Sequence, residues 1–306
     1  MWAKGNLHTH TNLSDGDSAP DDVCRYYAAR GYHFLSITDH NRFTDPKKVH
    51  SHGLVLLRGV EVSVVPECDR TVPIHVNGFG VRGNVVPRTG FTAVEALQNC
   101  VDAVLARAGV AQLNHPNFHF AFDHTQMSGI TRCRLLEVFN GHPQVYNDGD
   151  GDHIGVEEMW DRLLTAGRVF HATAVDDSHH FTGDFAPHRA NPSRGWVCAR
   201  VKNLTPRSIL YALRRGDFYA SSGVELEDVA VRGFGLSLAV RRKPGVSCIT
   251  RFIGDGGVVL SESGELENSF YPSSDSGTSY VRAKVIASNG SCAWTQPVFR
   301  TRAPLR

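Results

Sequence analysis

Short apolar runs alternate with stretches of helical spacing through residues 1–224. Runs of strand length surround Leu7 and occupy residues 34–38 (FLSIT), 55–59 (VLLRG), 110–113, 135–139 and 169–174, and GWVCARV at 195–201 is a further strand candidate. Helices are expected over residues 19–30, 92–108, 156–166 and 206–215. The first carries Pro20 and Asp21 in its opening turn and is followed by Gly31, a fitting start and stop. The second aligns Val94, Leu97, Val101, Val104 and Leu105 on one stripe of period 3.6. The last two close on Gly167 and Gly216. Strand–helix alternation of this kind predicts an α/β domain with a mostly parallel sheet, and the number of units favours a barrel over an open sheet.

The pattern changes at Glu225. From there helical spacing disappears, and strand-type runs such as VAVRG, LSLAVR, VSCITRFIG and YVRAKVIA are punctuated by Gly, Ser, Asn and Pro. Residues 1–224 are therefore expected to form the α/β domain and residues 225–306 a small all-β, sandwich-like domain. A polar loop is expected at 268–279, mobile over 273–279. The chain has 306 residues, 21% of them charged, and a net charge of +1. Such balance leaves no basic face for nucleic acid or an anionic membrane, so any anion chemistry has to be local. The opening segment MWAKGNLHTH lacks the apolar stretch of a signal peptide, and no run reaches membrane-spanning length. Seven cysteines without a C-x-x-C pair read as reduced thiols used in packing, and the expected location is cytoplasmic.

Sixteen histidines are many for this length, and their placement matters more than their number. In the segment GNLHTHTNLSDGD, His8 and His10 stand two apart and would share one face of a strand, with Asp15 in the turn beyond. FLSIT ends in Asp39 and His40, VLLRGV in Glu61, VAQLN in His115, LLEVFN in Gly141 and His142, and VFHATAV in Asp176, Asp177 and His179. In a parallel barrel all of these strand ends gather on one face, where active sites form. His50 and His52 repeat the H-x-H spacing but precede a strand, on the opposite side, and read as solvated surface. His33, His153 and His171 read as structural. His75 stands in a hairpin-like insert, either near the cluster or merely hydrogen-bonded. Asp39 and Asp176 are either carboxylates that orient a neighbouring imidazole or helix caps. Gly78, Gly80 and Gly83 lack a strand–turn–helix phosphate motif, and Ser221 and Ser222 lack a nucleophile elbow.

The succession HTH…SDG…ITDHN…GVE…NHP…EVFNGH…DDSHH resembles the PHP (polymerase and histidinol phosphatase) superfamily of metal-dependent hydrolases, from residue 5 through the DDSHH segment. GDFYASSG and YVRAKVIASNGSCAWTQPVF are similar to PHP members with a C-terminal β-domain. The resemblance implies a distorted (β/α)7-type barrel holding two or three divalent metal ions. His8, His10, Glu61 and Asp177 would bind a first ion. Glu61 would bridge to a second, held also by His115 and by His142, with Asn140 as the competitor for that last place. Asp15, His40 and His179 would bind a third. Nitrogen and oxygen donors without cysteine suit Zn, Mn, Fe or Co. The implied reaction is hydrolysis of a small phosphomonoester or phosphodiester by hydroxide held between ions, with Asp177 central to it. Arg194 and Arg189 would grip phosphate, and His180 or His188 would protonate the leaving group. The alternatives are a carbamate, ester or amide hydrolase and a non-catalytic PHP-fold binding module.

Overall fold

The first strand, β1 (Trp2–Asn6), lies parallel to β2 (Phe34–Ser36), and β2 lies parallel to β3 (Val55–Leu57), with α1 (Pro20–Ala28) crossing between the first two. A computed structural model provides these coordinates and describes residues 1–273 and 275–300. Ser274, within the expected mobile loop, and residues 301–306, at the end of the expected β-domain, lie outside the described residues.

A second group of strands follows: β4 (Gly59–Val64), β5 (Ile74–Phe79), β6 (Val110–Leu113), β7 (Leu135–Asn140) and β8 (His171–Val175), hydrogen-bonded in that order. β6, β7 and β8 are parallel, whereas β5 runs antiparallel to both neighbours. The helices of this half are α2 (Ala93–Ala106), α3 (His124–Ser128) and α4 (Val156–Thr165). Thr92 and Glu95 close a capping box at the start of α2, whose apolar stripe buries Leu97, Val101 and Val104. Next come β9 (Trp196–Arg200), α5 (Pro206–Arg215) and β10 (Phe218–Ser221), with β9 antiparallel to β1 and to β10. α5 ends on Gly216 in the left-handed conformation, φ 75°.

The expected mostly parallel, closed barrel is corrected on two points. β5, β9 and β10 bring antiparallel pairing, and among the described residues the ladder does not close. It forms two arcs, one running through β3, β2, β1, β9 and β10 and the other from β4 to β8. The seams are bridged only by isolated pairs, Thr9 with Ser178 and His40 with Glu61. Beside the second seam Gly59 sits so tightly that an added Cβ would come 2.3 Å from the carbonyl oxygen of Ile37.

Beyond β10 every α or β element is a strand: β11 (Leu226–Arg232), β12 (Gly235–Val240), β13 (Cys248–Ile253), β14 (Val259–Ser263), β15 (Glu267–Phe270), β16 (Tyr280–Ala287), β17 (Cys292–Trp294) and β18 (Val298–Phe299). β11, β12 and β15 form a separate three-stranded sheet. β17 pairs with β10, so the first arc runs on into β17, β16, β13 and β14. A buried ion pair fastens the same segment to α4. The Arg282 guanidinium, 1% exposed, donates to Asp161 from Nε (2.7 Å) and Nη2 (2.6 Å) and to Glu157 from Nη2 (2.8 Å). Gln296 acts as a short length of strand, its amide giving to the carbonyl of Ala172 (2.9 Å) and accepting from the Ala172 N–H (2.8 Å). Among the described residues no helix is long and apolar enough to cross a membrane.

Candidate metal centre

The face to which β1, β2, β6 and β8 lead at their far ends, and to which β4 brings its third residue, Glu61, is filled with buried polar side chains. His8 and His10 follow β1, and their Nε2 atoms lie 3.1 Å apart. Each of these nitrogens is 3.3 Å from Glu61 Oε2 and 3.2 Å from Asp177 Oδ1. The two nitrogens with either oxygen form a triangle of 3.1–3.3 Å sides, the spacing of donors that bind one transition-metal ion at about 2.0–2.2 Å. Glu61 Oε2 supports the same fit. It is fully buried, has His8, His10 and His40 nitrogens at 3.0–3.3 Å, and makes no hydrogen bond. A buried oxygen left without a hydrogen bond among imidazoles is costly unless a cation lies between them.

Two further groups adjoin this one. On one side Asp15 Oδ2 stands 3.4 Å from His40 Nε2 and 3.4 Å from His179 Nε2, while its Oδ1 faces His10 Nδ1 at 3.4 Å. On the other, Glu61 Oε1 stands 3.4 Å from His115 Nε2 and 3.2 Å from His75 Nδ1. Glu61 thus faces donors with both oxygens, as a bridging carboxylate must. His115 (φ 22°) and Asp177 (φ 49°) both adopt the left-handed backbone region that non-glycine residues avoid, and this turns their side chains inward at the strand ends.

The electrostatics follow from crowding. Burial works against the His8 imidazolium, yet Asp177, Glu61 and Glu137 together hold its pKa well above the usual value. Burial would likewise raise Glu61 and Asp177, but the imidazoles around them hold both carboxyls well below the ordinary range. His10 goes the other way, lowered to about 4 by burial and by His179 beside it. Such a set, with so many acids and bases mutually desolvated, is arranged for cations.

Eight of the nine expected ligands therefore converge: His8, His10, Asp15, His40, Glu61, His115, Asp177 and His179. His142 lines the cleft but belongs to none of the donor groups among the described residues. Its Nδ1 accepts from the Gln144 N–H at 3.2 Å. Asn140, its competitor, gives its amide to Asp177 Oδ2 and Glu137 Oε2 instead. His75, not expected as a ligand, instead joins a donor group with His40 and Glu61. Its signal was faint, because β5 runs antiparallel and brings the start of its strand, not the end, to this rim.

Other expectations divide. The donors floor a cleft of about 210 Å³ whose walls add Phe118, His142, Gln144 and His180. Arg194 does not enter it. Its Nη1 and Nη2 donate to the carbonyls of Gly141 (2.9 Å) and Ala186 (2.8 Å), so the side chain fastens two loops rather than reaching for a ligand. Arg189 gives Nη2 to the carbonyl of Thr182 (3.0 Å), and His188 is exposed. Asp39 and Asp176 serve neither of their expected roles. Asp39 accepts from Thr11, Ser14 and Thr44, and Asp176 from Tyr27 and the backbone of Ser193, Arg194 and Gly195. His50 and His52 stack on each other, centroids 4.1 Å apart, and join no donor group among the described residues. One residue escaped notice altogether. Glu137, inside the apolar run LLEVFN, is 1% exposed and receives His8 Nδ1 at 2.7 Å.

No family model and no curated protein matches the chain. Among solved structures it is similar to a two-domain protein from Bacteroides vulgatus ATCC 8482 that contains a predicted PHP-like metal-dependent phosphoesterase. Identity is 15%, the match covers 99% of this chain and 88% of that one, and the TM-score is 0.55. A protein from Bifidobacterium adolescentis ATCC 15703 described as a metal-dependent phosphoesterase matches at 15% identity, covering 68% of this chain and 96% of that one, with a TM-score of 0.46. An amidohydrolase from Chromobacterium violaceum matches at 16% identity, 61% and 93% coverage and a TM-score of 0.40. Nearly full coverage by the first of these shows that the chain shares that protein's fold along almost its whole length, β-rich segment included.

Proposed function

We propose that this chain is a metal-dependent phosphoesterase of the PHP superfamily, hydrolysing a small phosphomonoester or phosphodiester. The observation that supports this reading is the packing of His8 and His10 Nε2 within 3.3 Å of each other, of Glu61 Oε2 and of Asp177 Oδ1, with further donor groups adjoining through Glu61 and His10. In this reading residues 1–224 are a PHP barrel opened into two arcs, and 225–306 are its appended β-domain. The first ion position uses His8, His10, Glu61 and Asp177, the second Glu61, His115 and His75, and the third Asp15, His40 and His179. The donor chemistry suits Zn, Mn, Fe or Co. Two or three such ions would supply a nucleophile at neutral pH and offset the charge of the transition state.

The residues do the rest. Glu61, directed by the Asn114 amide at 2.7 Å, keeps the first two positions at a fixed separation. His180 and His142 line the cleft wall, and either would serve as proton donor to a leaving oxygen. Phe118 gives the cleft one apolar wall. One observation favours a second reading, hydrolysis of a neutral carbamate or ester: among the described residues that line the cleft there is no Arg or Lys.

The test is turnover by zinc- or manganese-loaded protein on phosphomonoesters, phosphodiesters and carbamates. Phosphoester hydrolysis abolished by chelation and restored by metal is expected. Carbamate turnover without phosphatase activity would establish the second reading.

A further inference from the structure

Glu137 occupies an unusual position for a buried carboxylate. Four groups meet it. Oε1 lies 2.7 Å from His8 Nδ1 and accepts from Gln112 Nε2 at 2.9 Å, while Oε2 accepts from the His115 backbone N–H at 2.9 Å and from Asn140 Nδ2 at 3.0 Å. Gln112, His115 and Asn140 present N–H groups, and a carboxylate at 2.7 Å requires the His8 Nδ1 to carry a proton as well. No Lys or Arg pairs with Glu137 among the described residues, so hydrogen bonds and the neighbouring imidazole are what offset its burial.

These partners belong to three different strand ends. With its Nδ1 proton held by Glu137, His8 turns the Nε2 lone pair toward the point it shares with His10, Glu61 and Asp177. The His115 N–H fixes the left-handed turn that swings the His115 ring toward Glu61. The same Asn140 amide reaches Asp177 Oδ2 at 3.1 Å and sets which carboxylate oxygen is left for the imidazoles.

We propose that Glu137 is the positioning residue of the centre, one carboxylate that orients donors of the first and second ion positions together. The proposal rests on the metal-centre reading above. Its chemistry explains why glutamine is not an adequate replacement. All four neighbours donate, so the side-chain amide of a glutamine in this place sets its NH2 against two donors whichever way it is flipped. With the NH2 toward His8 and Gln112, His8 loses the acceptor for Nδ1–H or is driven to the tautomer that protonates Nε2; with it toward His115 and Asn140, those two donors lose their acceptor.

The experiment is zinc titration of stripped wild-type protein, Glu137→Gln and Glu137→Asp by calorimetry, with ions counted by elemental analysis. In parallel, NMR of the zinc-loaded proteins follows the ring N–H of His8. Glu137→Gln is expected to weaken zinc binding at the His8-containing group 10- to 100-fold, the usual effect of losing such a partner. Zinc at Asp15, His40 and His179 should be retained, and the downfield His8 Nδ1–H signal of the wild type should be lost. A merely structural role would destabilise the fold without singling out one group of donors. Glu137→Asp keeps the charge on a shorter arm and should fall between wild type and Glu137→Gln, and it carries the test if the glutamine variant fails to fold. Wild-type zinc affinity in either variant overturns the proposal. A wild-type protein that takes up no zinc, manganese, iron or cobalt overturns the metal-centre reading instead.

Discussion

The Asp39 carboxylate accepts both the backbone N–H of Thr11 (2.8 Å) and its hydroxyl (2.9 and 3.0 Å). This pair ties the turn that carries Asp15 to the strand end that carries His40. Since Ser14 and Thr44 use the same carboxylate, Asp39→Ala strands several buried donors at once. A loss of about 2–4 kcal/mol in unfolding free energy is expected, the range for removing charge-accepted hydrogen bonds. Ion content should fall at the Asp15 group first. Denaturant unfolding and elemental analysis of the variant check both.

Metal removal should be felt by the whole fold. The crowded imidazoles and carboxylates repel or desolvate one another without cations, so chelation is expected to lower the thermal midpoint and to release two to three ions per chain, on the order implied by three adjoining donor groups. A stripped protein with an unchanged midpoint would contradict the site.

Asp177→Asn preserves shape and removes a ligand charge. Activity should drop by several orders of magnitude while circular dichroism stays that of the wild type. His50→Ala and His52→Ala, on a stacked surface pair, should leave turnover within about twofold, as surface changes generally do.

For Arg194→Ala the expectation follows from its two carbonyl partners. A phosphate grip would lose activity on anionic substrates only. A loop fastener should lower kcat/KM on phosphate esters and neutral esters by the same factor, with a modest loss of stability of about 1–2 kcal/mol. Parallel kinetics on the two substrate types decide between them.

The Arg282 cluster gives the fold an acid-sensitive joint. Burial alone would raise the Glu157 carboxyl, but Arg282 and Lys284 beside it lower its pKa. A carboxyl with a depressed folded-state pKa contributes stability that is fully present above the ordinary carboxylate range and fades as pH falls through it. Unfolding free energy should therefore decline below about pH 5, and less steeply in Glu157→Gln. Arg282→Met leaves Asp161 buried and unpaired and should cost about 3–5 kcal/mol.

Most of the centre was legible because it obeys one rule: a strand in a parallel array ends at the functional rim, so a His, Asp or Glu just past an apolar run is a candidate. His8, His40, His115 and Asp177 all follow it, and Glu61 was found as the residue after the apolar run VLLRGV although it lies inside β4, a strand paired antiparallel with β5. The rule fails where its premise fails. β5 is antiparallel, so His75 reaches the rim from the first turn of its strand, opposite Ser63. His142 satisfies the rule by position, but the Asn140–Asn147 interlock turns the chain before its ring reaches a donor group. Glu137 lay inside an apolar run, and only a packed structure shows that four donors wait for it. Closure was illegible for a related reason. Periodicity locates strands, but whether two ends join depends on how closely their backbones approach, which no spacing of apolar residues records.

Gln296 has a consequence for how the chain can be divided. β8 is the last strand of its arc, and the N–H and carbonyl that Gln296 satisfies point away from β7, along an edge that packs beside β9 and β10 without a continuous ladder. A single side chain from the β-rich segment thus serves as the edge guard of the strand that leads to Asp177. Cutting the chain ahead of residue 296 would not liberate a tidy catalytic half. It would uncover a strand edge, and the cut protein would be expected to show this as self-association.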